Sequence, residues 1–238
     1  MFPIKSTVPV RHPPVTTWVL IAVNCMCFLF EMSLSDTQLE TLVSEFALVP
    51  ARYQEATDVA DYLPFLTNMF LHGGWLHLIL NMWTLWLFGP PVEDQLGSGL
   101  YLAFYLGCGV LASATHVTFN PTSTAPALGA SGAIAGVLGC YMRLFPMARV
   151  IVLIPVIFVP FFFAVPGMVF AGLWFLMQVL QATTALFLPT AGASIAWWAH
   201  IGGFVGGFLL ASPLRHVRRP DRPLYADQGI YGFDLMGR

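Results

Sequence analysis

Charge is what this sequence has least of. Only 9% of its 238 residues are Asp, Glu, Lys or Arg, whereas 57% are hydrophobic, and a water-soluble domain carries roughly 25% charge to cover its surface. A soluble globular fold is thereby excluded. Cysteine is scarce as well: Cys25, Cys27, Cys108 and Cys140 all fall inside apolar stretches, without the thiol or histidine spacing of a zinc site or a disulfide framework, so they read as packing residues. No His-Glu-x-x-His stretch occurs, and acidic residues are confined to the ends of apolar runs, to loops and to tails. That argues against metal-assisted or acid-pair chemistry in a membrane, and the expectation is no metal and no organic cofactor. A net charge of −2 gives no basic surface for nucleic acid. No internal repeat is visible.

What is present is length in the apolar runs. Stretches 15–33, 73–90, 99–117, 131–148, 163–187 and 193–212 are candidates to cross a hydrocarbon core of about 30 Å at about 1.5 Å per residue. They predict an all-α polytopic membrane protein, a bundle of six transmembrane helices. Stretch 150–162 is also apolar, but Pro155, Pro160 and Pro166 interrupt it. It reads as a strand or loop against the bundle before the fifth helix, a seventh span being the weaker alternative. The first run is longer than a signal-peptide core and no small-residue cleavage site follows it, so it is expected to remain as an anchor.

Basic residues near helix ends tend to stay on the cytoplasmic side. Lys5 and Arg11 precede the first run, Arg143 and Arg149 lie about the end of the fourth, and Arg215, Arg218, Arg219, Arg222 and Arg238 follow the sixth. Only Arg52 lies on the other side, in an acidic loop. Both termini are therefore expected inside, with a tail at 1–14, a helical domain at 15–212 and a second tail at 213–238. Loop 35–72 mixes acidic residues with Phe46, Leu48, Tyr62 and Phe65, which suggests a structured flap on the outer face. The Pro- and Asn-containing segment 118–128 ends just before a glycine-rich helix start.

Counting back from the cytoplasmic ends of the second, fourth and sixth helices puts Ser131, His200, His77 and Asn81 at roughly 14–22 Å, a shared depth below the outer surface. Polar groups there are costly unless they line a cavity or bond one another. Ser131 enters its helix in Gly129-Ala130-Ser131-Gly132, where free amides and the helix dipole favour a developing negative charge. Taken alone, a serine among small residues is a packing residue. His200 is the only ionisable residue of its run. Gly203 and Gly207 on one helix, with Gly132 and Gly136 on the other, let the two backbones approach, bringing hydroxyl and imidazole within general-base reach. His77 and Asn81 are spaced i, i+4 and share a face, suited either to an oxyanion or to bonding between helices. His72, five residues before His77, is expected to support the loop or bond water.

These residues resemble the rhomboid family of intramembrane serine proteases. The resemblance rests on His72-Gly-Gly-Trp-Leu-His77-Leu-Ile-Leu-Asn81, Gly129-Ala-Ser131-Gly, Ala199-His200-Ile-Gly-Gly203 continuing to Gly207, and Val92-Glu93 followed by Leu96-Gly97. It covers about residues 15–212. It implies a rhomboid-like bundle with a structured first external loop, a Ser131–His200 catalytic dyad without an acidic third member, and an oxyanion site lined by His77, Asn81 and the Ser131 amide. Gly129, beside Ala130, gives the tight backbone approach. Transmembrane segments of other proteins would be the substrates and the lipid bilayer the medium. Two positions depart from the family: Leu63-Pro64 stands where Trp-Arg is usual, and Ala135 where an aromatic often packs on the base. His200 would then be oriented by other neighbours, such as Trp197 or Trp198. The fifth helix, with Pro166, Trp174 and Gln178, could form a lateral gate, though its aromatics are more simply bundle and lipid contacts.

A catalytically silent adaptor for transmembrane clients is the first competing reading, and intact Ser131 and His200 speak against it. A transporter is the second, disfavoured because no intramembrane acidic pair exists. The compact six-span form without an appended domain looks prokaryotic, hence an integral protein of a bacterial plasma membrane.

Overall fold

The computed structural model describes residues 2–156, 159–187 and 196–214. Apolar sequence without interior breakers gives helix α1, Val15–Ser33, and a serine N-cap with Gln38 three positions on closes the capping box of α2, Asp36–Phe46. The rest of the flap is short turns and a four-residue helix, α3, Pro64–Thr67. Helices α4, Trp75–Leu96, α5, Ser98–Phe119, and α6, Ser131–Leu144, follow, then α7, Gly167–Phe187, and α8, Trp197–Leu214. A helix thus occupies most of each of the six predicted runs.

Among the described residues three of these are long and apolar enough to cross a membrane: Val15–Ser33, Ser98–Phe119 and Gly167–Ala185. Helix α6 is only 14 residues long, and polar residues, glycines and prolines dilute the apolar character of α4 and α8.

Several boundaries differ from the sequence expectation. Helix α4 runs on past Pro90 and Pro91 to Leu96 and stops where Gly97 adopts φ +82°. Helix α6 ends at Leu144, not 148. Helix α7 starts at Gly167, not 163, because the preceding apolar residues form strands. Strands β1, Phe2–Ser6, β2, Arg149–Val156, and β3, Val159–Pro166, make an antiparallel sheet in the order β1-β2-β3. The strand alternative for 150–162 is the one observed, while β1 lies in a stretch expected to be only a tail. Pro155 sits in the central strand without cost, since β1 pairs no further than Leu153 and Pro155 faces Pro160. The start of the sixth run at 193–195 and the tail from 215 lie outside the described residues.

Two carboxylates of α4, the buried Glu93 and the half-buried Asp94, organise the entrance to α1. Glu93 accepts the Thr16 and Thr17 amides at 2.8 Å each, the Thr17 hydroxyl at 2.7 Å and the Ser98 hydroxyl at 2.8 Å. Asp94 accepts the Arg11 amide at 3.1 Å and the His12 amide at 2.8 Å. Negative charge and free amides meet at a helix N-terminus, where each stabilises the other.

Helix α8 lies against α6 with almost no side chain between them. A Cβ placed on Gly203 would collide with the Gly132 carbonyl, one on Gly207 with the Gly136 carbonyl, and one on Gly139 with that of Phe204. Without a hydrophobic driving force between helices in lipid, such backbone contact is what holds them. On the far side, Gly132 and Gly136 fit against Ala112 and Cys108 of α5.

Candidate active site

The flap delivers the chain to the start of α6. Leu48 and Ala127 exchange backbone hydrogen bonds of 2.9 and 2.8 Å, the Ala51 amide donates to Ser123 O at 2.9 Å, and Gln54 Nε2 donates to Pro121 O at 2.7 Å. Segment 120–130 is thereby paired although it is not helical. The Gly129 amide donates to Asn68 O at 2.8 Å, and Gly129 holds φ +123°, a conformation that disfavours any side chain. Ala130, fully buried, caps α6, and Ser131 is its first residue.

Ser131 Oγ lies 2.7 Å from His200 Nε2. They belong to α6 and α8, the pair brought together by the glycine contacts above. His200 Nδ1 lies 2.7 Å from Gln178 Oε1 on α7, a partner that the sequence reading did not give it. The rings of Trp174 and Trp197 stand 5.8 and 6.1 Å from the imidazole. Trp198 instead stacks on Phe119 at 4.0 Å, so of the two tryptophans proposed to orient the base only Trp197 is beside it.

His77 lines the other side of the serine loop: a Cβ on Gly129 would lie 2.6 Å from His77 Nε2 and 3.6 Å from Asn81 Nδ2. His77 and Asn81 therefore converge on the backbone just before Ser131. Asn81 Nδ2 also bonds His72 Nε2 at 3.1 Å, which leaves the second amide hydrogen for another acceptor. His72 is buried, its ring 5.2 Å from that of His77, and its amide faces both carboxylate oxygens of Glu31 at 3.3 Å. It belongs to the buried network rather than to an exposed loop.

A cavity of about 20 Å³ adjoins Ser131, lined among others by Asn68, Ser113, Gly129 and Ala199. Asn68 and Ser113 are polar members of this lining, and Asn68 Nδ2 donates to Ser113 Oγ at 2.9 Å. That is room for about one water molecule with polar partners. Neither residue stood out in the sequence, since a single Asn in the flap and a Ser within α5 carry no spacing signal. Leu63, in the place of the missing tryptophan, is exposed, and Pro64 opens α3. Among the described residues no group of three or more His, Cys, Asp or Glu could hold a metal ion.

Long apolar helices enclosing a cluster of polar side chains define an integral membrane protein of the helical-bundle class. The chain belongs to the rhomboid family: the family model described as "Rhomboid domain" matches residues 60–216. It is 27% identical over 203 residues to "Rhomboid protein 1, mitochondrial" of Saccharomyces cerevisiae, covering 83% of this chain and 53% of that protein. It is 35% identical over 191 residues to "Rhomboid protease GluP" of Bacillus subtilis, covering 76% and 36%. It is 37% identical over 153 residues to "Presenilin-associated rhomboid-like protein A, mitochondrial" of Danio rerio, covering 61% and 36%. The chain thus spans about a third to a half of the length of these relatives. Two are named mitochondrial and one is from a bacterium, so the relatives do not carry the expected assignment to a bacterial plasma membrane.

Proposed function

We propose that this protein is an intramembrane serine endopeptidase that cleaves transmembrane segments of other membrane proteins. The observation that carries this reading is the 2.7 Å contact between Ser131 Oγ and His200 Nε2, a nucleophile–base distance within general-base range. In this reading six helices cross the bilayer with both ends on the cytoplasmic side, and residues 15–212 form the protease domain between tails at 1–14 and 213–238.

Ser131 Oγ attacks the scissile carbonyl as its proton passes to His200 Nε2. The tetrahedral oxyanion is met by the Ser131 amide, free at the start of α6, and by His77 and the second amide hydrogen of Asn81. Collapse of the intermediate expels the amine, which takes the proton from His200, and leaves an acyl-enzyme. Water then attacks the ester with His200 again as base, and Ser131 is regenerated. The small cavity beside Ser131 is a place from which such a water could come. No step calls for a metal or an organic cofactor.

The test is cleavage of a tagged transmembrane substrate in proteoliposomes. Ser131→Ala is expected to abolish it, and undiminished cleavage by that variant defeats the reading. A silent adaptor would be separated by a serine-directed fluorophosphonate, which is expected to label the native chain and not Ser131→Ala.

A further inference from the structure

Gln178 is a primary amide on the predominantly apolar helix α7, and it is only 7% exposed. A polar group placed there is costly unless both its ends are bonded. Gln178 Nε2 donates to the carbonyl of Trp174, one turn back on the same helix, at 3.4 Å. A carbonyl can only accept, so the nitrogen end of the amide belongs there and the oxygen end faces His200 Nδ1 at 2.7 Å.

An amide oxygen also only accepts, which obliges Nδ1 to carry a hydrogen. A neutral imidazole has one N–H, so Nε2 must present its lone pair, and Nε2 is the atom 2.7 Å from Ser131 Oγ. This is the tautomer that can take the serine proton; the other would set an N–H against the hydroxyl. The neighbouring rings of Trp174 and Trp197 offer no acceptor to Nδ1, and Ala135 has no ring to pack on the base.

We infer that Gln178 is the positioning residue of the base, a neutral third member that fixes the tautomer and direction of His200; the inference rests on the Ser131–His200 assignment above. During attack, the Oγ–H bond breaks as the carbon–oxygen bond forms, and the proton ends on Nε2. Gln178 exchanges no proton; its hydrogen bond from Nδ1–H strengthens as the ring becomes charged.

The experiment compares the full-length chain with Gln178→Leu, Gln178→Met and Gln178→Glu, using Ser131→Ala as the blank. Two rates are read: inactivation by a small fluorophosphonate, which needs no transmembrane substrate to enter, and cleavage resolved into kcat and KM. Removing the acceptor in Gln178→Leu is expected to slow labelling at least about tenfold, part of the typical general-base contribution. The fall should appear in kcat with KM little changed. Gln178→Glu keeps an acceptor oxygen in either protonation state and is expected to recover most of the labelling rate. Gln178→Met, unbranched and without an acceptor, is read by the same criteria if the Leu variant fails to fold. Wild-type labelling by folded Gln178→Leu or Gln178→Met, or equal impairment of the acceptor-free and Glu variants, overturns the inference while leaving the dyad standing. Labelling that persists in Ser131→Ala removes the site assignment, and this inference with it.

Discussion

At the scale of single residues, the demand is sharpest at Gly129. Its φ of +123° and the 2.6 Å separation between a built Cβ and His77 Nε2 make two objections to any side chain. Backbone strain of this kind costs about 1–3 kcal/mol, and the ring must also give way. Gly129→Ala is therefore expected to lower the melting temperature slightly and proteolysis strongly, by about 100-fold, the lower end of the range for loss of one oxyanion donor. Parallel thermal melts and cleavage assays check this; wild-type cleavage would show that the close approach has no catalytic weight. Residue-scale features were unevenly legible in the sequence. Ser131 and His200 stand out because polar side chains are rare in apolar runs, and the i, i+4 spacing of His77 and Asn81 marks a shared face. Gln178, also polar in an apolar run, reads from the sequence only as part of a possible lateral gate and not as a partner of the base. Its partner lies 22 residues away on another helix, and only packing of α7 against α8 reveals the pair.

At the scale of elements, α6 and α8 are held by glycine. Gly207→Ala would drive a methyl into the Gly136 carbonyl, so the helices must part; overpacking of this kind costs typically 1–3 kcal/mol. Separation by about 1 Å also costs about 100-fold in rate. Gly172→Ala in α7, where a Cβ meets nothing within 4 Å, is the control, expected to leave activity intact and to gain up to about 1 kcal/mol of helix propensity. Denaturation and cleavage measured on both separate close packing from a general intolerance of larger residues. The flap makes a pH prediction. Burial beside Tyr62 and Phe65 pushes the Tyr53 phenol up to about 12. Its contribution is complete below the unfolded value of about 10 and is lost as pH rises through about 12. Limited proteolysis of the flap should quicken across that window, and Tyr53→Phe should blunt the change. Elements were legible where periodicity and length agree, as in α1 and α5. They were less so where an apolar run is short: the sequence marks a strand or loop only as far as 162 and puts residues 163–166 in the fifth helix, although they belong to β3, and β1, with Pro3 and Lys5, acquires its conformation only by pairing with β2.

At the scale of the whole molecule, the short α6 raises a question of depth. Its 14 residues span about 21 Å, well under a hydrocarbon core of about 30 Å. In the proposed six-span arrangement the remainder is crossed by segment 120–130, whose backbone is not helical, and such backbone survives at that depth only when packed in protein or facing water. The flap meets this need: Leu48, Ala51, Gln54 and Asn68 bond to Ala127, Ser123, Pro121 and Gly129 in turn. In that arrangement a protein-lined descent leads from the outer surface to Ser131 and lets water approach the serine. The arrangement requires that the flap and the turn after α6 lie on opposite sides of the membrane, although α6 falls short of the length of a simple span. Single cysteines at Glu45, in the flap, and at the exposed Met147, just past α6, test this in sealed vesicles after replacement of the four native cysteines. A membrane-impermeant maleimide is expected to label one position from outside and the other only after the vesicles are opened. Labelling of both from the same side would place the flap and the α6 exit together, and with them would go the buried descent to Ser131.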